Sequence, residues 1–317
     1  PVEAPIADRL RFLLRYAILA PSSHNSQPWS FGIDGNTFHI HADESRWLEV
    51  ADADRRELLI SLGCALENLL VASAHFGFDA AVEYGTGEEE PEVSVRLAPA
   101  ERPDGSNEET LFEAITARRT SHRAFADRQI TSGLTDRFRT LVGNGRVELM
   151  LIDDGDGKAR IGELQFEADE RQMADSAYRR ELGHWIGMGA LGASWLMARV
   201  GQLAVTYLDL GRREGTKNSR LIERAPVIVV LTTPDDTSRA RVRTGQVFER
   251  LMLAATIEGV AAHPMSQILE RPELKRALAD DFGIAPATPQ HLFRLGYPKG
   301  ERAEAHTPRW PVSAVLR

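Results

Sequence analysis

Two stretches 182 residues apart read as copies of one helix. Gly63–Ala81, GCALENLLVASAHFGFDAA, lies over Gly245–His263, GQVFERLMLAATIEGVAAH. The pairs Gly63/Gly245, Glu67/Glu249, Leu69/Leu251, Ala72/Ala254, Gly77/Gly259 and Ala80/Ala262 are identical, and several others are apolar in both copies. Any two buried helices share apolar positions, but glycine matched at both ends points to an internal duplication. The offset also tells the halves apart. Residue 21 moved by 182 falls in LAVTYLDLG, which has nothing of the polar stretch around residue 21, so that stretch occurs once.

A chain of 317 residues, 43% hydrophobic, can bury a substantial core as one large or two intimate domains. The candidate boundary is the Pro/Gly-bearing acidic loop APAERPDGSNEE, dividing the chain into 1–104 and 105–317. A net charge of −8 without a long basic stripe argues against non-specific nucleic-acid binding. No apolar run approaches the roughly 18 residues of a transmembrane helix. No secretory leader is recognisable after Pro1, so no membrane partner is expected. Cys64 is the only cysteine, which excludes an internal disulfide or a multi-cysteine metal site and fits a reducing cytoplasm.

Periodicity orders the elements. Leu10, Leu13, Leu14, Ala17 and Ile18 form one helical face that stops before Pro21. WSFGI and TFHIHA flank an Asp34-Gly35 turn as a strand pair. A helix is expected over 55–76, a strand at DAAVEY, a helix over 108–117, a strand at VELMLI and a charged helix over about 157–182. A Gly-rich apolar stretch then runs to about residue 210, followed by the polar run GRREGTKNSR. APVIVVLTT is a buried strand, 238–258 a long helix, Pro272 the start of a shorter one, and QHLFRLGY the last strand.

Three polar clusters carry the chemistry. The first is LAPSSHNSQPWSFGI, where Ser22, Ser23, Asn25 and Gln27 crowd between Pro21 and Pro28. Prolines fix such a loop so that serine and asparagine present donors and acceptors in set directions. Helix capping alone needs only Ser22 or Ser23. Trp29 and Phe31 read as core, and His24 is left aside as a variable position. The second cluster is ARRTSHRAF, in which Arg118, Arg119 and Arg123 with Thr120 and Ser121 supply the fork donors that a phosphate or a polar ring edge demands. A basic patch at a helix C-terminus reads the same way. The third is HTPRWP, where Arg309 is pinned between prolines like a ligand clamp.

Together these clusters resemble the nitroreductase superfamily of flavin enzymes, in particular its Acg-like FMN-binding branch with two nitroreductase-like halves in one chain. The family's RRSxRxF is matched by Arg119-Thr120-Ser121-His122-Arg123-Ala124-Phe125, and its APSxxNxQPWxF by Ala20 to Phe31. HPMSQ, PQHLFRLGYP and TPRWP agree, and Thr120 in place of the usual arginine suits the Acg-like branch. The resemblance implies an α+β nitroreductase-like fold whose halves form an intramolecular pseudo-dimer holding one FMN. Its cofactor-binding residues would be Pro21, Ser22, Ser23, Asn25 and Gln27 from one half. Arg119, Ser121 and Arg309 would hold the phosphate and ribityl chain, Arg123 would face the ring's N1/O2 edge, and Pro264, Met265 and Ser266 would lie near N5. The implied activity is hydride transfer from NAD(P)H to an electron-poor small molecule such as a nitroaromatic or quinone, with no catalytic side chain singled out. The protein would be a monomer or a homodimer, and 185–224 would be a lid over the flavin.

Two further readings stand beside it. A lid that bars nicotinamide would make the protein an FMN-binding or sequestering protein with little turnover. Gly187, Gly189 and Gly192 in IGMGALG imitate a dinucleotide fingerprint, but the lead-in YRRELGHWI reads as helix rather than strand. DDGDGK lacks the closing glutamate of a calcium loop and reads as a turn. His39 and His41 share a strand face without a third ligand, so no metal is expected.

Overall fold

A computed structural model describes residues 5–85, 91–100, 107–143, 146–300 and 305–317. Its N-terminal half begins with α1 (Ile6–Ala17), which buries Leu10, Leu13, Leu14 and Ala17. The hairpin β1 (Trp29–Asp34) and β2 (Thr37–Ala42) turns at Gly35, whose φ of 57° suits glycine. Helix α2 (Arg56–His75) leads to β3 (Phe78–Tyr84) and β4 (Val93–Pro99). The sheet is antiparallel throughout, in the order β1-β2-β4-β3.

After α3 (Asn107–Ala117) and α4 (Ser132–Val142), the second half repeats this plan. β5 (Glu148–Ile152) pairs with β6 (Val227–Thr233), and α9 (Ser238–Ile257) then leads to β7 (Ala261–Pro264) and β8 (Thr288–Gly296). Again the sheet is antiparallel, in the order β5-β6-β8-β7. Each sheet therefore places its first, second, fourth and third strands side by side, with a long helix between the second and third. Inserted between β5 and β6 are α5 (Gly155–Ala174), α6 (Ser176–Gly187), α7 (Trp195–Tyr207) and α8 (Gly211–Glu223); α10 (Pro272–Asp281) precedes β8.

The matched glycines are where the two halves meet. A Cβ on Gly63 would overlap Val242 O and lie 2.9 Å from Gly245 Cα. One on Gly245 would overlap Ile60 O and lie 2.9 Å from Gly63 Cα. Residues 60 and 242 are also 182 apart, so the contact is reciprocal, as in an isologous interface. Around this crossing one core runs from Leu14, Phe38 and Leu66 to Val229, Phe248 and Phe293, across both sheets. The boundary at 104/105 lies outside the described residues.

Strand β6 shows why its run is wholly apolar. Val227, Val229 and Leu231 face the shared core, while Ile228 and Val230 face a second cluster with Ile161, Leu164, Leu278 and Leu292. Both faces are buried, so alternation disappears. Helix α2 is long and apolar enough to cross a membrane, contrary to the expectation that no such run exists. It is nevertheless 83% buried over its apolar window, at the centre of the core.

Other expectations need correction. The helix expected over 157–182 is two helices, broken at Asp175, whose extended backbone (ψ 117°) and carboxylate cap α6 by accepting from Ala177 N at 2.8 Å. DDGDGK is no plain turn: Asp154 caps α5 and accepts from Gly157 N at 2.7 Å. The Gly-rich and polar runs form α7 and α8. The strands β4 and β7 and the helix α4 carry no counterpart in the sequence reading.

Candidate functional site

The opening polar loop is locally strained. His24, Asn25 and Gln27 have φ values of 51°, 55° and 54°, a left-handed region costly for side chains other than glycine. Ser22 compensates: its Oγ accepts from Gln27 N at 2.9 Å and its carbonyl from Asn25 N at 2.9 Å. The buried side chains of Asn25 and Gln27 bind the C-terminal tail. Asn25 Nδ2 donates to Pro308 O and Ala190 O, both at 2.8 Å, and Gln27 Oε1 accepts from Trp310 N at 2.9 Å. The tail is positioned because residues 315–317 run along the edge of β1, with Phe31 N donating to Val315 O at 2.7 Å. Trp29 and Phe31 are fully buried, as expected of core.

Arg309 is drawn into the same loop. Its guanidinium donates to Asn25 Oδ1 at 2.9 Å, to Thr307 Oγ1 at 2.6 Å and to Leu19 O at 3.2 Å. Arg118 donates to that same Leu19 carbonyl at 3.0 Å and sits 3.2 Å from the Glu249 carboxylate. Burial and the neighbouring Arg118 bring Arg309 down to about 10, against the pull of Glu249. Burial pushes Glu249 up to about 7 although Arg118 opposes it. Among the described residues, buried nitrogens of this cluster remain without a partner: Nε of Arg309, Nε of Arg119 and Nη1 of Arg118, whose Nε instead faces Glu249. Such donors call for an anionic acceptor.

The second cluster attaches to the other sheet. Thr120 bridges to Ala262 of the edge strand β7, Ser121 N donates to Ala262 O at 2.9 Å, and Ser121 is buried. The buried Arg294 clamps the segment, donating to Ser121 O at 3.3 Å and Arg123 O at 2.7 Å, with its guanidinium over the Phe125 ring. The Arg123 side chain is exposed. Pro264, Met265 and Ser266 follow directly at the end of β7. Met265 is fully buried in the second apolar cluster, and Ser266 Oγ lies 3.1 Å from His291 Nδ1.

A polar chain joins the two regions. Ser23 Oγ donates to Glu57 Oε2 at 2.8 Å, Glu57 Oε1 lies 3.6 Å from His291 Nδ1, and His291 reaches Ser266. Burial would raise the Glu57 carboxyl, but Arg56, His291 and Ser23 together hold it well below the usual range. His24, beside it, is lowered as well, with the opposite effect on charge: burial brings its imidazole down to about 4 despite Glu57, so it is neutral while Glu57 is ionised. Glu57, His291 and Arg294 carry no signal in the sequence, and Glu249 shows only as a matched position of the repeat. Each sits within a regular helix or strand pattern and joins the network through a partner at least 25 positions away. Arg118 was visible only as one charge in a basic run.

The segment expected to act as a lid is ordered helix around a turn. Gly187 ends α6, Gly189 and Gly192 adopt φ of 76° and 80°, and α7 follows. A helix precedes these glycines, so the strand–turn–helix context of a dinucleotide fingerprint is missing. The turn touches the site: Ala190 O is bound by Asn25, and Gly192 lies against Thr307 and Pro308. Among the described residues no group of three or more His, Cys, Asp or Glu is placed to hold a metal.

A family model described as the Nitroreductase family matches residues 116–297. Over 98% of its length the chain is 28% identical to a Mycobacterium tuberculosis protein provisionally named NAD(P)H nitroreductase acg, covering 95% of that relative. It is 29% identical to the provisionally named NAD(P)H nitroreductase Rv3131 of the same organism, over 98% of this chain and 92% of the relative. Among solved structures, the FMN-dependent nitroreductase NfnB from Mycobacterium smegmatis in complex with NADPH aligns with 66% of this chain and 97% of its own. The identity is 18% and the TM-score 0.45.

Proposed function

The chain belongs to the nitroreductase family, and from that premise we propose that it is an FMN-dependent oxidoreductase transferring hydride from NAD(P)H to an electron-poor small molecule, a nitroaromatic or a quinone. The observation that carries the cofactor is the cluster of Arg118, Arg119 and Arg309 around His306, in which Nη1 of Arg118 and Nε of Arg119 and Arg309 are buried without partners and, among the described residues, Glu249 is the carboxylate beside Arg118. A phosphate monoester supplies the missing acceptors and relieves the mutual repulsion of Arg118 and Arg309. FMN, when bound, supplies hydride chemistry at N5.

The chain's own residues supply binding and electrostatics. Arg119, Ser121 and Arg309 would hold the phosphate and ribityl chain, and Arg123 would add positive charge beside the flavin ring. Asn25 and Gln27 act through the tail, since Asn25 Oδ1 fixes the Arg309 guanidinium and Gln27 fixes Trp310. Pro21 and Ser22 hold that loop's course, and Ser23 ties it through Glu57 and His291 to Ser266, beside Pro264 and Met265. The halves 1–104 and 105–317 are read as an intramolecular pair making one such site.

A second reading is favoured by the α6–α7 turn seated on Asn25 and Pro308: a covered flavin that binds but turns over little. The purified protein is expected to be yellow and to release one FMN per chain on denaturation. A colourless protein that cannot be reconstituted defeats both readings. Anaerobic NADPH separates them: bleaching supports the reductase, while reduction by dithionite alone supports the binder. Arg119→Ala with Arg309→Ala is expected to abolish FMN retention; full occupancy in that variant refutes the assigned phosphate site.

A further inference from the structure

A cavity of about 260 Å³ lies on α9, away from the clusters already described, lined by Glu67, Arg146, Arg243 and Arg250 and by apolar side chains. We propose that it binds a small organic anion, a carboxylate carried on an apolar ring. The lining divides by chemistry. Leu141, Val142, Val147 and Val247 form an apolar wall, and three guanidiniums face one carboxylate. That carboxylate, Glu67, is already engaged by Arg250. Among the described residues neither Arg146 nor Arg243 has a carboxylate partner; Arg243 packs over the Tyr84 ring at 4.8 Å. Two guanidiniums with remaining donor capacity beside an apolar surface, in a chain of net charge −8, form a local attraction for anions. At liquid density the volume corresponds to about nine waters, the scale of a benzoate rather than of a nucleotide.

The cavity also has a place in the fold. The Arg250–Glu67 pair has a partner contact under the 182 offset: with its amide turned to satisfy both neighbours, Asn68 donates to Glu249 at 3.0 Å and accepts from Ala20 N at 3.2 Å. Asn68 and Arg250 correspond, as do Glu249 and Glu67. On the Glu249 side, residues 18–28 connect α1 to β1 and bring the polar loop. On the Glu67 side, Arg146 and Val147, just before β5, line the cavity. This placement leans on the two-half reading; the ligand chemistry does not.

The test uses the protein as purified, with its flavin. Benzoate, benzyl alcohol and inorganic phosphate are titrated by calorimetry and ligand-observed NMR. We expect one benzoate per chain, at least tenfold weaker binding in Arg146→Gln/Arg243→Gln, and no detectable binding of benzyl alcohol. Charge-preserving Arg146→Lys/Arg243→Lys should retain most of the affinity, which separates lost charge from lost fold. Benzoate binding that is undetectable in the wild type overturns the proposal. So does affinity unchanged in the Gln variant, which with a perturbed flavin spectrum assigns the anion to the flavin site. Phosphate binding as tight as benzoate binding also overturns it, because the apolar wall would then have no part. None of these results bears on whether NADPH reduces the flavin.

Discussion

Single buried residues tie the stability of this protein to pH, and Asp169 isolates one such effect. It is buried between α5 and α8, accepting from Gln165 at 3.1 Å and Asn218 at 2.9 Å, and burial pushes its carboxyl up to about 6 although both bonds and the nearby Lys217 oppose it. A carboxyl with a raised folded pKa binds more protons folded than unfolded between about 4 and 6, so its contribution is lost as pH rises through that window. Relative to Asp169→Asn, the wild type should lose up to about 3 kcal/mol from pH 4 to above pH 6. Parallel urea titrations at several pH values check this; a constant difference would remove Asp169 from the account. Arg118 tests the opposite case. Arg118→Ala strands Glu249 in the core and should cost about 3–5 kcal/mol, whereas replacing both by leucine should cost much less. A double-mutant cycle in urea reads the coupling.

Helix α2 against helix α9 is the element on which the halves depend. Their crossing has no room for a side chain at Gly63 or Gly245, and the obstructing atoms are backbone carbonyls that cannot rotate away. Gly63→Ala should therefore cost about 3 kcal/mol or more, although alanine favours an isolated helix. Chemical denaturation gives the number, and a neutral effect would mean that the helices can separate. The α5–α6 break makes a milder prediction. Asp175→Ala removes the cap on Ala177 N and should cost about 1 kcal/mol. Neither proline nor glycine marks this break, which is why 157–182 reads as one helix.

At the scale of the whole molecule the buried carboxyls act together. Burial raises Asp52 to about 7, Glu249 to about 7 and Glu270 to about 8, so each loses stability as pH climbs toward those values. His24 and His263, both lowered by burial, have the opposite sign below their unfolded value of about 6.5 and contribute fully above it. Between pH 6.5 and 8 the carboxyls alone remain, and stability should fall with rising pH. A urea midpoint at pH 8 equal to or above that at pH 6.5 would contradict this. Because one core spans both sheets, that loss should appear as one transition rather than two.

How much was legible follows the range of each interaction. Helix α1, the β1–β2 hairpin, β6 and the paired helices announce themselves, because periodicity, an Asp-Gly turn and burial on both faces leave local marks. The four-residue β7 leaves none, being too short for a pattern and held by pairing with β8 and with Thr120. The site divides in the same way. The chemistry of Asn25, Arg119 and Arg309 and the single copy of the polar loop were determined by the sequence itself, since side-chain type and repeat offset are one-dimensional facts. Only the tertiary structure decided that Arg309 meets Asn25, that Arg118 shares the Leu19 carbonyl, and that Ser23 reaches Ser266 through Glu57 and His291. A buried polar group is satisfied by whatever the packed chain brings to it, and that partner has no fixed distance along the sequence.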